Sequence, residues 1–185
     1  MSNGVIVRRG RYYWHLSVQA LYDGKTACID WRSLLPLNGG TTKQRQSLLA
    51  SSKGLLIALV ESPRDHRGER LAHSTVLNWV HDLRRLIRWM TSKDVWSFSD
   101  LRVTDIVDYM TFSTMRKDGG GEVAPHTLYM RGKLLHEMWE VRHQYPSPLL
   151  IDSTHWILKR RDDGDAVRRG GHLTSQLLFP CSVPR

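Results

Sequence analysis

The sequence has few cysteines and lacks the patterns of the most common active sites. Its two cysteines, Cys28 and Cys181, are far apart in unlike contexts, which excludes a disulfide framework and a cysteine-based zinc site. None of the nine histidines belongs to a His-x-x-x-His or His/Cys grouping that would hold a metal. A Walker phosphate loop and a Gly-x-Ser-x-Gly elbow are absent too. We therefore expect neither a cofactor nor catalysis by this chain alone.

Long hydrophobic runs are also missing. The longest, Leu55 to Val60, is far too short to cross a bilayer. Residues 1–10 lack the apolar core of a signal peptide. We therefore expect no membrane partner and a cytoplasmic location.

Positive charge is the main feature of the composition. Lysine and arginine number 27 against 18 acidic residues, which gives a formal net charge of +9 over 185 residues. Folding does not need such an excess, but it raises the local concentration of phosphates and acidic surfaces. Arginine outnumbers lysine, and its guanidinium group binds phosphate and guanine in a bidentate manner. The composition favours a polyanionic partner.

Residues 74–92 form the most strongly patterned stretch. Ser74 and Thr75 can cap a helix, and apolar residues then recur at spacings of three and four: Val76, Trp79, Val80, Leu83, Leu86, Ile87 and Met90. The opposite side carries Asn78, His81, Arg84, Arg85 and Arg88, with Asp82 as the only acid among them. This side is either a solvated surface or a face that contacts a polyanion, and the shortage of acids favours the second interpretation.

The remaining patterns predict a hairpin and more helices. Residues 1–10 are expected to form a loose basic arm, and two alternating runs around Asp23-Gly24 predict a β-hairpin. Trp14 and Trp31 are expected to pack as a cross-strand pair. Because an isolated hairpin is barely stable, it must dock on the helices or on a partner chain.

Three further helices are predicted, from Thr41-Thr42 to about Ser62, from Thr104 to about Arg116, and from Pro125 to about Gln144. A short helix is also expected around Trp156. The expected fold is therefore mainly α, a four- to five-helix bundle preceded by an N-terminal β-hairpin. The predicted domains are a basic arm and hairpin at 1–40, a helical domain at 41–150 and a linker-like or disordered tail at 151–185.

Three segments, LAHSTVLNWVHDLRRLIRWM, SFSDLRVTDIVDYM and PHTLYMRGKLLHEMWEVR, together resemble the core-binding domain of tyrosine recombinases, the phage integrase family. The matching positions are Thr75, Trp79, Leu83, Ile87, Trp89, Leu101, Asp105, Ile106, Tyr109, Thr127, Arg131, Leu135 and Met138, with Trp79 in place of the usual tyrosine. The resemblance covers about residues 71–145. It implies a SAM-like helical bundle that forms half of a clamp around duplex DNA, with two helices, at 74–92 and 126–144, facing the major groove.

The cations outside the apolar stripes of these two helices are the candidate DNA-binding residues. They are Arg84, Arg85, Arg88, Arg131 and Lys133, together with His81 and His136. The resemblance implies double-stranded DNA and other recombinase protomers as partners, and no small-molecule substrate.

Catalysis in that family needs a second domain with an arginine, a lysine, a His-x-x-Arg box and a C-terminal tyrosine nucleophile. The last tyrosine here is Tyr145, and the literal match of His81 and Arg84 to the box lies inside a bundle helix. We therefore expect the DNA-binding portion of a site-specific integrase, truncated before the catalytic domain: a natural truncation, a decayed gene or a fragment. The alternative is a helical protein-interaction module that binds no nucleic acid, its hairpin and tail holding another subunit.

Overall fold

The structure is a computed structural model that describes residues 5–10, 12–18, 27–62, 73–115 and 121–152. Three strands come first: β1 (Val5–Arg9), β2 (Tyr13–Val18) and β3 (Ala27–Asp30). The α-helices that follow are α1 (Thr42–Glu61), α2 (His73–Ser92), α3 (Val103–Thr114) and α4 (Pro125–Glu140). The prediction of a mainly helical protein preceded by a β-hairpin is confirmed. The predicted turn at Asp23-Gly24, the helix around Trp156 and all but the first two residues of the tail lie outside the described residues.

The N-terminal strands form one antiparallel sheet in the order β1-β2-β3. The predicted hairpin is the β2–β3 pair, in which Trp14 lies opposite Ile29. The prediction of a loose arm was wrong, because β1 pairs with the other edge of β2, from Val5 opposite Val18 to Arg9 opposite Trp14. The run Val5-Ile6-Val7 is β-branched and suits a strand, and β2 offers it an unpaired edge.

The two tryptophans of the hairpin are in contact, but they do not form the predicted cross-strand pair. Trp31 lies just beyond β3, in the short 3₁₀ helix Trp31–Ser33, where its backbone N–H donates to the Tyr12 carbonyl at 2.9 Å. The rings of Trp14 and Trp31 meet edge to face, with centroids 4.8 Å apart. The ladder partner of Trp14 is Ile29 instead.

The sheet docks on the helices of its own chain. Trp14, Ile29, Trp31 and Leu34 are buried in the same hydrophobic cluster as the apolar faces of the helices. Two docking surfaces were predicted for the hairpin, the helices of the same chain or a partner chain, and the structure shows docking on the helices. Burial against them supplies the stability that an isolated two-stranded ribbon lacks.

Helix α1 begins after Thr41, one of the two predicted cap residues, and Thr41 forms a capping box. The Thr41 hydroxyl accepts from the Gln44 N–H, and the Gln44 side chain accepts from the Thr41 N–H. Gly54 weakens the helix because glycine has a low helix propensity, but it has a role in packing. A Cβ at this position would lie 2.9 Å from Cδ of Pro146 and 3.1 Å from Cβ of Tyr145. The glycine therefore allows a close approach between α1 and the segment after α4.

Helix α2 has the predicted amphipathic form. All seven residues of its predicted apolar stripe are buried: Val76, Trp79, Val80, Leu83, Leu86, Ile87 and Met90. The helix begins at His73, so Ser74 and Thr75 lie in its first turn and not at the predicted cap position. Trp89 is buried as well, and its ring contacts that of Tyr109 at a centroid distance of 5.5 Å.

Helices α3 and α4 complete the bundle. The Asp105 carboxylate accepts from the Arg102 N–H at 2.8 Å at the start of α3, and Pro125 occupies the first turn of α4. Helix α4 ends at Glu140, earlier than predicted, and is followed by the short 3₁₀ helix Arg142–Gln144. It contacts α1, α2 and α3.

Tyr145 fixes the segment after α4. Its buried hydroxyl donates to the Met138 carbonyl at 3.2 Å and accepts from the Leu149 N–H at 3.1 Å. Burial raises the pKa of Tyr145 to about 12, although the hydrogen bond from Leu149 opposes the increase. The tyrosine therefore ties the end of the bundle to the chain that follows.

Candidate nucleic-acid interface

Helix α2 has a cationic face because its basic residues recur at helical spacing. His81, Arg84, Arg85 and Arg88 recur at intervals of three and four, so they share one side of the helix. His81 and Arg88 are exposed, whereas Arg84 and Arg85 are partly buried. The apolar side of the same helix is inside the core. Packing of that apolar side therefore fixes the direction in which the cations point.

These cations line a cleft together with residues from two other helices. The cleft has a volume of about 660 Å³ and is lined by His81, Asp82, Arg84, Arg85, Arg88, Phe112, Met115 and Arg131. The structure thus brings four α2 residues of the predicted site together with Arg131 of α4. Four guanidinium groups face one carboxylate here, which favours an anionic ligand.

Two of the arginines are held by the carboxyl end of α3. One Nη atom of Arg85 donates to the carbonyls of Phe112 and Met115, both at 3.3 Å, and Arg131 donates to the Ser113 carbonyl. Helix α3 has no basic residue in its own last turn. Guanidinium groups from α2 and α4 therefore satisfy its terminal carbonyls and interact favourably with its dipole.

The charge of Arg85 is disfavoured by its surroundings. Burial lowers the pKa of Arg85, and the neighbouring Arg131 lowers it further, while Tyr109 and Asp82 oppose the decrease. The Nε–H of Arg85 is buried with no hydrogen-bond acceptor among the described residues. The crowding of two guanidinium groups at one helix end would be relieved by an anion in the cleft.

Arg84 and Arg88 are the cations with the most freedom to bind a ligand. Arg84 donates through Nη2 to the Ser33 hydroxyl at 2.9 Å, a neutral partner that leaves its charge uncompensated. Arg88 is exposed. The ion pairs found among the described residues, Arg32–Asp30 and Lys133–Glu137, do not involve either of them. Both guanidinium groups therefore retain donors for phosphate.

Asp82 is the acid of the cleft. Burial raises the pKa of Asp82, and the positive groups of Arg131, His81 and Arg85 act against that increase. Beneath it, burial raises the pKa of Tyr109 to about 12, and the charge of Asp82 adds to the increase. Asp82 therefore reduces the positive potential of the cleft when it is ionised.

The other two candidates on α4 are placed differently. Lys133 and His136 do not line the cleft. Lys133 Nζ lies 3.6 Å from Oε1 of Glu137, one turn along the helix, and Nδ1 of His136 is buried with no described hydrogen-bond partner. Their assignment as DNA contacts stays a prediction, separate from the cleft.

Phe112 and Met115 are lining residues that sequence reasoning missed. They are 48% and 50% exposed, respectively. For Phe112 the usable signal was its helical phase, because it lies off the buried side of α3 that is marked by Ile106 and Tyr109. A large apolar residue on the wrong side of an amphipathic helix indicates a surface contact.

Within residues 5–152, apart from the gaps between the described ranges, no group of three or more histidine, cysteine or acidic side chains could hold a metal ion. In the same part of the chain no helix combines the length and apolarity required to cross a membrane.

Comparisons with known proteins give no family assignment. No protein-family model matches the chain, and neither a curated protein nor a solved structure was found to be similar to it.

Proposed function

We propose that this chain is a duplex-DNA-binding module, the DNA-binding portion of a site-specific tyrosine recombinase. The observation that carries the DNA-binding proposal is the convergence of Arg84, Arg85 and Arg88 from α2 with Arg131 from α4 on one cleft. The recombinase assignment rests on the sequence resemblance over residues 71–145 and on the helical fold that the resemblance implies.

Binding is mainly electrostatic in this proposal. Each phosphate neutralised by an arginine releases condensed counterions, so affinity falls steeply with salt concentration. Arg85 and Arg131 are pre-organised by the α3 carbonyls, which lowers the entropic cost of binding for those two side chains. Arg84 and Arg88 supply the free donors.

The test is a pair of charge-matched double variants. Arg84→Gln with Arg88→Gln removes two cations of the cleft, whereas Lys43→Gln with Arg102→Gln removes two exposed cations outside it. Titration of a labelled duplex at several salt concentrations should give a shallower slope of log K against log salt for the cleft variant, by about 1 for each phosphate that is no longer neutralised. The Arg84 change should cost only about 1 kcal/mol of stability through its bond to Ser33.

Equal losses of affinity in the two double variants would show that binding follows total charge and not the cleft. Single-stranded DNA and tRNA serve as competitors. A clear preference for duplex supports the proposal, and equal binding of all three contradicts it.

A protein-interaction module is the second candidate, and one specific observation favours it. Val103, Phe112 and Met115 of the α3 region are about half exposed, and Leu150 is 61% exposed. Contiguous exposed apolar patches mark protein contacts, and Phe112 and Met115 lie together in the lining of the cleft. This candidate predicts weak binding of every nucleic acid, with the same salt slope in both double variants.

A further inference from the structure

The cleft combines cations with an apolar wall, which phosphate binding alone does not require. Phe112 and Met115 form that wall and are about half exposed. The guanidinium carbon of Arg85 lies 4.9 Å from the centroid of the Phe112 ring. This cation–π contact holds the aromatic ring at the edge of the cationic surface. A ligand of the cleft therefore meets a flat apolar group beside its positive groups.

The size of the cleft restricts the ligand further. A volume of about 660 Å³ falls within the range of about 300–1,000 Å³ that is usual for small-molecule and cofactor sites. A double helix has to lie across such an opening, whereas a single nucleotide enters it. In a duplex the faces of the bases are stacked on one another and are not available to an aromatic side chain, but the base of an unpaired nucleotide is.

Building on the proposed function, we propose that the cleft binds one unpaired nucleotide of a nucleic acid that the surrounding surface holds. Its phosphate lies against Arg84 and Arg88, and its base packs on Phe112 and Met115. Arg85 has two roles in this arrangement, since it fixes the Phe112 ring and adds positive charge. Base contact of this kind is sequence-tolerant because every base has a π-face.

The test compares three duplexes of identical sequence: one with blunt ends, one with a single-nucleotide overhang, and one with an abasic overhang of the same charge. The base-bearing overhang should bind about fivefold or more tightly than the abasic one, from the usual contribution of one stacked base. Phe112→Ala should abolish this difference between the base-bearing and the abasic overhang. Phe112→Tyr, which keeps the ring, should retain the difference.

Val103→Ala is the matched control, because Val103 is 47% exposed on the same helix but outside the cleft. It should retain the full difference, and thermal unfolding of each variant confirms that the fold is intact. Equal binding of the base-bearing and abasic overhangs, with duplex binding preserved, overturns this inference but not the proposed function. A gain from the base without measurable blunt-duplex binding supports the inference and refutes the proposed function, while no binding of any probe refutes both.

A free mononucleotide offers the same chemistry, so adenosine monophosphate is included as a competitor. If adenosine monophosphate at millimolar concentration removes the gain in affinity that the base-bearing overhang provides, the result supports the proposed nucleotide site. Tight binding of the mononucleotide by the wild-type protein, with no gain from the overhang, overturns the assignment to a nucleic-acid strand.

Discussion

The two helical glycines of the described bundle should respond in opposite directions to the same substitution. A Cβ at Gly54 of α1 would lie 2.9 Å from the Pro146 ring and 3.1 Å from Cβ of Tyr145. A Cβ at Gly132 of α4 would meet only the terminal methyl of Met110, at 3.5 Å. The first contact is with a rigid ring and a buried residue, and the second is an ordinary contact with a flexible side chain.

Two terms decide the sign of each substitution. Alanine is favoured over glycine in a helix interior by about 1 kcal/mol, and this gain applies at both positions. Overpacking in a well-packed region costs about 1–3 kcal/mol, and it applies only at Gly54. We therefore expect Gly132→Ala to stabilise the protein by about 0.5–1 kcal/mol, and Gly54→Ala to destabilise it by up to about 2 kcal/mol.

Urea denaturation followed by circular dichroism measures both changes. In a chain of this size, 1 kcal/mol corresponds to a shift of about 2–4 °C in Tm, so thermal unfolding provides a second reading. Equal stabilisation by the two substitutions would refute the reasoning, because it would mean that α1 does not lie closely against Tyr145 and Pro146.

Four further results are expected. Asp82→Asn removes the negative charge of the cleft. It should strengthen duplex binding by roughly fivefold, which corresponds to about 1 kcal/mol at an intermediate dielectric constant. The titration of a labelled duplex at several salt concentrations measures this change. Burial places the folded-state pKa of Asp82 above its unfolded-state pKa. The stability of the wild-type protein should therefore fall as the pH rises from the unfolded-state pKa through the folded-state pKa. Asp82→Asn should remove this pH dependence, as measured by urea denaturation over a pH series. Tyr109 and Tyr145 both have a pKa of about 12 in the fold, against an ordinary value near 10. The contribution of these two tyrosines to the free energy of unfolding should therefore be fully present below about pH 10. It should fall by about 3 kcal/mol per tyrosine as the pH rises through about 12. Tyr145→Phe should cost about 1–3 kcal/mol at neutral pH, because two backbone groups are left without their hydrogen-bond partner, and should reduce the alkaline decline; an unchanged alkaline profile would contradict the burial of that hydroxyl.

The helices were predictable because their signals are local. The helix start at Thr41-Thr42 and the stripe from Val76 to Met90 need only neighbours in the sequence. Reasoning from local sequence failed where another strand supplied the hydrogen-bonding partner of a segment. The segment Val5–Arg9 was interpreted as a loose arm because nothing in its own sequence shows that β2 has a free edge.

The candidate site was predictable in part for the same reason. Helical spacing places His81, Arg84, Arg85 and Arg88 on one face, and that placement needs no tertiary information. It does not show which cation of another helix joins them. The packing of α4 brings Arg131 to the cleft and leaves Lys133 outside it.

The sequence by itself determined the amphipathic faces, the helix limits to within a few residues and the excess of positive charge, because each depends on neighbouring residues or on composition. Tertiary structure alone decided how the faces are used. It brought the carboxyl end of α3 to Arg85 and Arg131, and it placed Phe112 and Met115 beside the cations of the cleft. It also placed Gly54 against Tyr145 and Pro146. These contacts join residues that are far apart in the chain, and their geometry follows from how whole helices pack.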